Sequence, residues 1–173
     1  MVEAYKKLLD CYEDVRKKTD FLPKAAIVLG SGLGDYADQV KVAAEISYSE
    51  IEGFPVSTVP GHAGKFIFGY IGQVPVVCMK GRVHYYEGYA MSDVVLPIRL
   101  MGMLGAKKLM LTNAAGGVNE NFKPGDFMMI TDHITTGVPS PLIGSNIDEL
   151  GQRFPDMSEV YSRRLCKVIR HAA

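Results

Sequence analysis

The chain has 173 residues, a length that favours a single domain and lets it bury roughly 70% of its unfolded surface. Hydrophobic residues make up 47% and charged residues 22%, as in ordinary globular proteins. The 19 Lys and Arg residues balance the 19 Asp and Glu residues, so the zero formal net charge argues against a partner that is a nucleic acid.

Cysteine usage and hydropathy narrow the class of protein further. Cys11, Cys78 and Cys166 form no C-x-x-C pair, which predicts reduced thiols in a cytoplasmic protein rather than disulfides or a zinc knuckle. No apolar run approaches the roughly 20 residues that span a bilayer, and no signal peptide is visible after Met1. We therefore expect no membrane partner.

In the first half of the chain, apolar periodicity predicts a helix over residues 4–18 and a continuous apolar strand over 25–29. Residues 66–79 predict a hairpin, because Gly72-Gln73 separates two apolar runs. Pro75 should then occupy a strand start or an edge strand, since proline donates no backbone hydrogen bond.

In the second half, Ser92 is predicted to cap a helix over 93–104 that Gly105 ends, with Pro97 kinking it or shifting its boundary. Strands are predicted over 107–111 and 127–131, followed by a long functional loop over 135–151. Ser158 is predicted to cap a last helix, whose inner side would carry Val160, Leu165, Val168 and Ile169.

Three predicted strands each lead into a loop rich in small or polar residues. These loops are Gly30-Ser31-Gly32-Leu33-Gly34, the segment 81–88, and Thr112-Asn113-Ala114-Ala115-Gly116-Gly117. Open α/β sheets bind ligands outside the carboxyl ends of their strands. The recurrence therefore predicts that the three loops converge on a small phosphate-like anion.

The first of these loops is weak on its own. Asp35 stands where the third glycine of a dinucleotide fingerprint belongs, and no P-loop sequence occurs in the chain. Glycines and the Ser31 hydroxyl suit an anion, but a plain strand-to-helix turn explains this loop better when it is taken alone. Ser31 also lacks the G-x-S-x-G setting of a serine hydrolase.

The second loop carries more chemistry. Arg82, His84 and Tyr86 alternate, so an extended backbone would place a guanidinium, an imidazole and an aromatic ring on one side. Arginine suits bidentate contact with phosphate oxygens, and Glu87 is a candidate partner for His84. A surface loop with an ordinary salt bridge explains the pattern equally well.

Two further loops have open alternatives. The alanines and glycines of 112–117 allow a ligand close to the backbone, and close packing of a helix on a strand is the alternative explanation. His62 and Lys65 in the segment 60–65 could contact an anion or only solvent. The four histidines show no paired metal-ligand spacing, so we expect no metal.

Taken together, these segments closely resemble the trimeric purine nucleoside phosphorylase family. The matching pieces occur in the family's order and cover nearly all of the chain: Gly30–Gly34, 59–65, Gly81–Tyr89, Thr112–Gly117 and Gln152–Ser158. The resemblance implies an α/β fold, a mixed β-sheet flanked by helices, in one domain over 1–173. It also implies cleavage of purine (deoxy)ribonucleosides by phosphate, giving free purine and pentose 1-phosphate in purine salvage.

The same resemblance implies roles for individual residues. Phosphate would be held by Ser31, His62, Arg82, Val83, His84 and the backbone at Ala114. His84, backed by Glu87, would place the phosphate beneath the anomeric carbon, and Tyr86 would line the sugar site. Phe154 would reach a neighbouring subunit's nucleoside site, which implies a homotrimer. Phosphate is a substrate, and no cofactor is expected.

Family members extend beyond the segment that this chain matches, and the extra part carries the purine-binding residues. We therefore expect a chain that is truncated relative to the family and catalytically poor or inactive alone. Two alternatives stay open: a methylthioadenosine phosphorylase, and a phosphate-binding or oligomerisation module without catalytic activity.

Overall fold

The computed structural model describes residues 3–57 and 64–173, which fall into two compact units, Met1–Ala114 and Ala115–Ala173. The prediction of one domain over 1–173 stays a prediction. The first unit contains α1 (Glu3–Lys18), β1 (Ala25–Leu29), β2 (Lys41–Ser47), β3 (Lys65–Ile71), β4 (Val74–Lys80), α2 (Met91–Met103) and β5 (Lys108–Leu111). The second contains α3 (Arg163–Ala172).

The five strands form one mixed sheet in the order β2-β3-β4-β1-β5. Strands β2, β3 and β4 pair antiparallel, whereas β1 lies parallel to β4 on one side and to β5 on the other. This arrangement confirms the predicted α/β class with a mixed sheet. It also places three parallel strands side by side.

The β3–β4 hairpin forms where it was predicted. Gly72 and Gln73 connect the strands, and Gly72 has a φ of +59°, which costs glycine little. Pro75 is the second residue of β4 and pairs with Tyr70 of β3, and its carbonyl accepts the Lys24 amide at 2.8 Å, whereas the register with β1 begins at Val76. The strand-start alternative for Pro75 is therefore confirmed, whereas β4 itself lies inside the sheet.

The two faces of the sheet have separate cores. Phe66 and Phe68 of β3 belong to an aromatic cluster in which the rings of Tyr48 and Phe66 lie 5.0 Å apart. The intervening Ile67 belongs to a cluster with Leu29, Ala37, Val40, Val76 and Cys78. Side chains alternate along a strand, so adjacent residues of β3 serve opposite faces. The second cluster includes residues of β1 and β4, two of the three strands whose ends carry the predicted site.

Helix α2 begins earlier than predicted and ends as predicted. Its N-cap is Ala90, and Ser92 stands at the second helical position, so the Ser92 cap was wrong. At the other end, Gly105 donates to the Gly102 carbonyl at 3.2 Å and Ala106 to the Met101 carbonyl at 3.1 Å. These two bonds form a Schellman motif, and Gly105 adopts the positive φ of +122° that it requires.

The second unit is mostly irregular, as predicted for the loop over 135–151. The strand predicted over 127–131 was wrong: this unit contains no strand with which that segment could pair. Ser162, not Ser158, caps α3 by accepting a hydrogen bond from the Leu165 amide. The predicted inner side was also wrong, because Val160 precedes the helix and Val168 and Ile169 are exposed.

Candidate active site

The candidate site is built on the carboxyl ends of three neighbouring parallel strands. Strands β4, β1 and β5 end at Lys80, Leu29 and Leu111, and their registers pair Leu29 with Lys80 and Val28 with Leu111. The three loops identified in the sequence therefore leave the sheet at one edge, where ligands of open α/β sheets bind. The sequence pattern of three strands, each followed by a loop rich in small or polar residues, predicted this geometry.

Thr112, the first residue after β5, joins these loops. Its hydroxyl accepts a hydrogen bond from the Gly30 amide at 2.8 Å and donates one to the Val28 carbonyl at 2.9 Å. Its carbonyl accepts a hydrogen bond from Nη1 of Arg82 at 2.8 Å. One residue thus contacts the end of β1, the turn after β1 and the loop after β4.

Gly30 allows the close approach of two of these loops. A Cβ atom at this position would lie 2.4 Å from the carbonyl oxygen of Thr112 and 2.7 Å from Cα of Asn113. Ser31 follows on the exposed side of the turn, and Gly32 has a φ of +81°. The turn after β1 is therefore packed against Thr112 and Asn113 and leaves the Ser31 side chain accessible.

Glu87 and His84 form a short-range pair within the loop after β4. Oε1 of Glu87 lies 2.9 Å from Nδ1 of His84 and accepts the His84 backbone amide at 2.7 Å. The Ser57 hydroxyl donates to the other carboxylate oxygen at 3.2 Å. Because the Glu87 side chain is only 2% exposed and that of His84 is 25% exposed, the carboxylate holds the ring from the protein side.

The ring of Tyr86 stacks on His84, with centroids 4.8 Å apart and planes 16° from parallel. The assumption of an extended backbone through Tyr86 was wrong, because Tyr85–Glu87 is a 3-10 helix. The two rings nevertheless meet, and the Tyr86 residue is 76% exposed. An aromatic surface therefore stands beside the imidazole.

The other residues predicted to lie near the phosphate differ in their exposure and contacts. Val83 is buried and Ala114 is exposed. His62 lies outside the described residues. Lys65 pairs with Glu45 at 2.6 Å, so this ammonium already has a carboxylate partner.

Phe154 belongs to the second unit and is 84% exposed. The guanidinium carbon of Arg153 lies 5.6 Å from the centre of its ring, and Nη1 of Arg153 donates to the Leu142 carbonyl at 2.7 Å. The segment is thus anchored through Arg153, while the phenyl ring remains available to another surface.

The second unit also has a cavity of about 390 Å³, lined mainly by polar residues that include Asp132, Tyr161 and Arg170. None of the predicted site residues lines it. Within residues 3–57 and 64–173, no group of three or more His, Cys, Asp and Glu side chains could hold a metal ion. No helix in these ranges is both long and apolar enough to cross a membrane.

Reasoning from the sequence missed two supporting residues. The hydroxyl and the carbonyl of Thr112 contact three residues that are distant in the chain, and no local sequence motif encodes such contacts. The buried Tyr48 donates from its hydroxyl to the Gly81 carbonyl at 2.8 Å. Burial raises the pKa of Tyr48 well above its ordinary value, so the phenol keeps its proton and remains a donor.

Comparison with known proteins decides the family. Residues 24–173 match the family model described as the phosphorylase superfamily. The chain belongs to the phosphorylase superfamily. This membership confirms the resemblance drawn from the five ordered motifs.

Individual members of the superfamily are similar over most of this chain. Purine nucleoside phosphorylase 1 of Geobacillus stearothermophilus is 51% identical over 159 residues, which cover 92% of this chain and 58% of that protein. A purine nucleoside phosphorylase solved with ribose 1-phosphate aligns with a TM-score of 0.92 and 42% identity, over 100% of this chain and 65% of that one.

A third relative is the Schistosoma mansoni purine nucleoside phosphorylase solved with inosine. It aligns with a TM-score of 0.89 and 42% identity, over 97% of this chain and 60% of that one. The chain therefore spans about three fifths of the length of the relatives that it matches.

Proposed function

We propose that this site catalyses the phosphorolysis of purine ribonucleosides and deoxyribonucleosides, the reaction implied by the motif resemblance. The observation that carries the proposal is the convergence of three strand ends through Thr112, with Arg82 and the His84–Glu87 pair at the same sheet edge. The names of the similar proteins, and the ribose 1-phosphate and inosine in two of their structures, support the same reaction.

Phosphate is the ligand that these residues suit. Arg82 uses Nη1 on the Thr112 carbonyl, and its other N–H groups can form charge-assisted hydrogen bonds with phosphate oxygens. The proposed partners around the anion are His84, the Ser31 hydroxyl, His62, and backbone groups at Val83 and Ala114. Each charge-assisted contact is worth about 1.5–3 kcal/mol, enough in combination to fix the nucleophile.

The chemistry follows from a fixed dianion beside the sugar. A phosphate oxygen forms a bond to the anomeric carbon while the glycosidic C–N bond breaks, and the purine nitrogen leaves with the electron pair and takes up a proton. The transition state places positive charge on the sugar ring, as in glycoside hydrolysis. Phosphate both attacks and stabilises that charge, so the chain's contribution is position and preorganised electrostatics.

The nucleoside contacts extend the proposal. Tyr86 supplies an exposed ring, stacked on His84, for the sugar side of the substrate. Phe154 supplies an exposed ring that would enter the nucleoside site of a neighbouring subunit in a homotrimer. The proposal places the reaction in cytoplasmic purine salvage and assigns it no metal and no organic cofactor.

Two measurements on the purified 173-residue chain test this function. Calorimetric titration with phosphate should show saturable binding that Arg82→Ala weakens. Incubation with inosine and phosphate should release hypoxanthine and ribose 1-phosphate. Failure to bind phosphate contradicts the proposal, whereas phosphate binding without any product favours the alternative of a non-catalytic phosphate-binding module.

A further inference from the structure

Thr112 makes more contacts at the strand ends than the pairing of β5 with β1 requires. Its backbone amide already donates to the Val28 carbonyl at 3.1 Å, which continues the β1–β5 pairing by one residue. The hydroxyl bonds the same carbonyl at 2.9 Å and also accepts the Gly30 amide at 2.8 Å. The hydroxyl therefore adds a connection to the turn after β1.

The carbonyl of the same residue faces the loop after β4. It accepts Nη1 of Arg82 at 2.8 Å and lies 2.4 Å from the position that a Cβ atom on Gly30 would occupy. Rotation of the Thr112 peptide would thus break the Arg82 contact and move the carbonyl oxygen that now fills the space beside Gly30. One residue sets the distance between the turn that carries Ser31 and the guanidinium of Arg82.

We infer that Thr112 is a positioning residue for the phosphate site, and this inference rests on the proposed function. It touches no reacting atom. Its hydroxyl holds the Gly30–Ser31 turn, and its carbonyl orients the Arg82 fork so that the remaining N–H groups face the anion. The predicted site residues fall on separate loops, and Thr112 is the group that fixes two of these loops relative to each other.

The matched pair Thr112→Val and Thr112→Ser separates the hydroxyl from the shape of the side chain. Valine keeps the branched shape and removes the donor and acceptor, whereas serine keeps the hydroxyl. Thr112→Val should weaken phosphate binding about five- to tenfold, the effect of one hydrogen bond, and Thr112→Ser should restore most of it. Thr135→Val, at an exposed threonine of the second unit, serves as the control that leaves phosphate affinity unchanged.

Amide hydrogen exchange at Gly30, followed by NMR, provides a readout that does not depend on phosphate. The Gly30 amide should exchange faster in Thr112→Val than in the wild-type chain and should regain its protection in Thr112→Ser. If the valine variant does not fold, the comparison of Thr112→Ala with Thr112→Ser measures the same hydroxyl. Rescue by serine distinguishes a positioning role from general loss of stability.

The results of these experiments distinguish failure of the Thr112 inference from failure of the proposed function. Equal phosphate affinity and equal Gly30 exchange in the wild-type chain and Thr112→Val would overturn the role of Thr112 and leave the phosphate site intact. Absence of phosphate binding by the wild-type chain would contradict the proposed function and, with it, the role of Thr112 toward phosphate.

Discussion

Glu87 accepts two hydrogen bonds from His84 on one oxygen, the backbone amide at 2.7 Å and Nδ1 of the ring at 2.9 Å. The first bond caps the N-terminus of the Tyr85–Glu87 3-10 helix, and the second fixes the orientation of the His84 ring relative to that helix. With Nδ1 occupied by the carboxylate, the Nε2 edge of the imidazole is the one left for a ligand. Local backbone geometry and ring orientation are thus controlled by one nearly buried carboxylate.

Glu87→Gln tests this control. The amide side chain keeps one acceptor oxygen but loses the negative charge and the second acceptor that Ser57 uses. We expect phosphate affinity to fall about tenfold, because replacing a hydrogen bond to a charged group (about 1.5–3 kcal/mol) by a neutral one (about 0.5–1.5 kcal/mol) loses about 1–1.5 kcal/mol. Isothermal titration calorimetry measures the change. Glu149→Gln, which removes an exposed carboxylate of the second unit, is the control of equal charge, and an equal effect of both variants would count against the pair.

Arg82 should tolerate neither removal nor replacement by lysine. Arg82→Ala should lower phosphate affinity by about 1.5–3 kcal/mol, the value of a charge-assisted contact. Arg82→Lys should recover only part of this loss, because an ammonium lacks the planar fork that serves the Thr112 carbonyl and the anion together. Phosphate titration of both variants checks the order, with exposed Arg164→Ala as control. Full recovery by lysine would show that only the charge matters.

Much of the framework follows from local patterns in the sequence. The apolar run at 25–29 and the Gly72-Gln73 turn are encoded by neighbouring residues, so β1 and the β3–β4 hairpin form as predicted. The Ser92 cap failed because α2 starts at Met91, where Ala90 supplies the cap position. A strand also needs a partner, and the apolar run at 127–131 has none in its own unit.

The candidate site likewise combines features that local sequence encodes with features that depend on distant residues. Its loops and its Arg, His and Glu side chains are recognisable in the sequence, because their residue types carry the chemistry. The contacts of Thr112 are not recognisable, because they join residues 30 to 84 positions away and depend on strand order. Sheet topology, unlike residue type, is a property of the whole unit.

Gly30 and Gly102 form a matched test of close approach. Gly30→Ala should destabilise the chain by about 1–3 kcal/mol through overpacking, because the new methyl group meets the Thr112 backbone. Gly102→Ala should stabilise it by about 0.5–1 kcal/mol, since Gly102 lies inside α2 with nothing within 4 Å of its added Cβ. Urea unfolding measures both. A neutral Gly30→Ala would contradict the close packing of the two loops.

The cysteines should differ in reactivity. Burial raises the pKa of both Cys11 and Cys78 to about 11, while Cys166 is half-buried in the second unit. At pH 8 only about a thousandth of each buried thiol is ionised, and the thiolate is the reactive form. A disulfide reagent should therefore modify Cys166 first, and Cys166→Ser should abolish the fast phase. The rate at the buried thiols should rise as the pH approaches 11, and fast reaction of all three at pH 8 would contradict this burial.

The most direct test of the central claim is a crystal structure of the chain soaked in phosphate. We expect one anion at the carboxyl ends of β4, β1 and β5, in contact with Arg82, His84 and the Ser31 turn, with Thr112 still bonded to Gly30 and Arg82. Crystals in which phosphate leaves this edge empty, or in which the three loops lie apart, would contradict it.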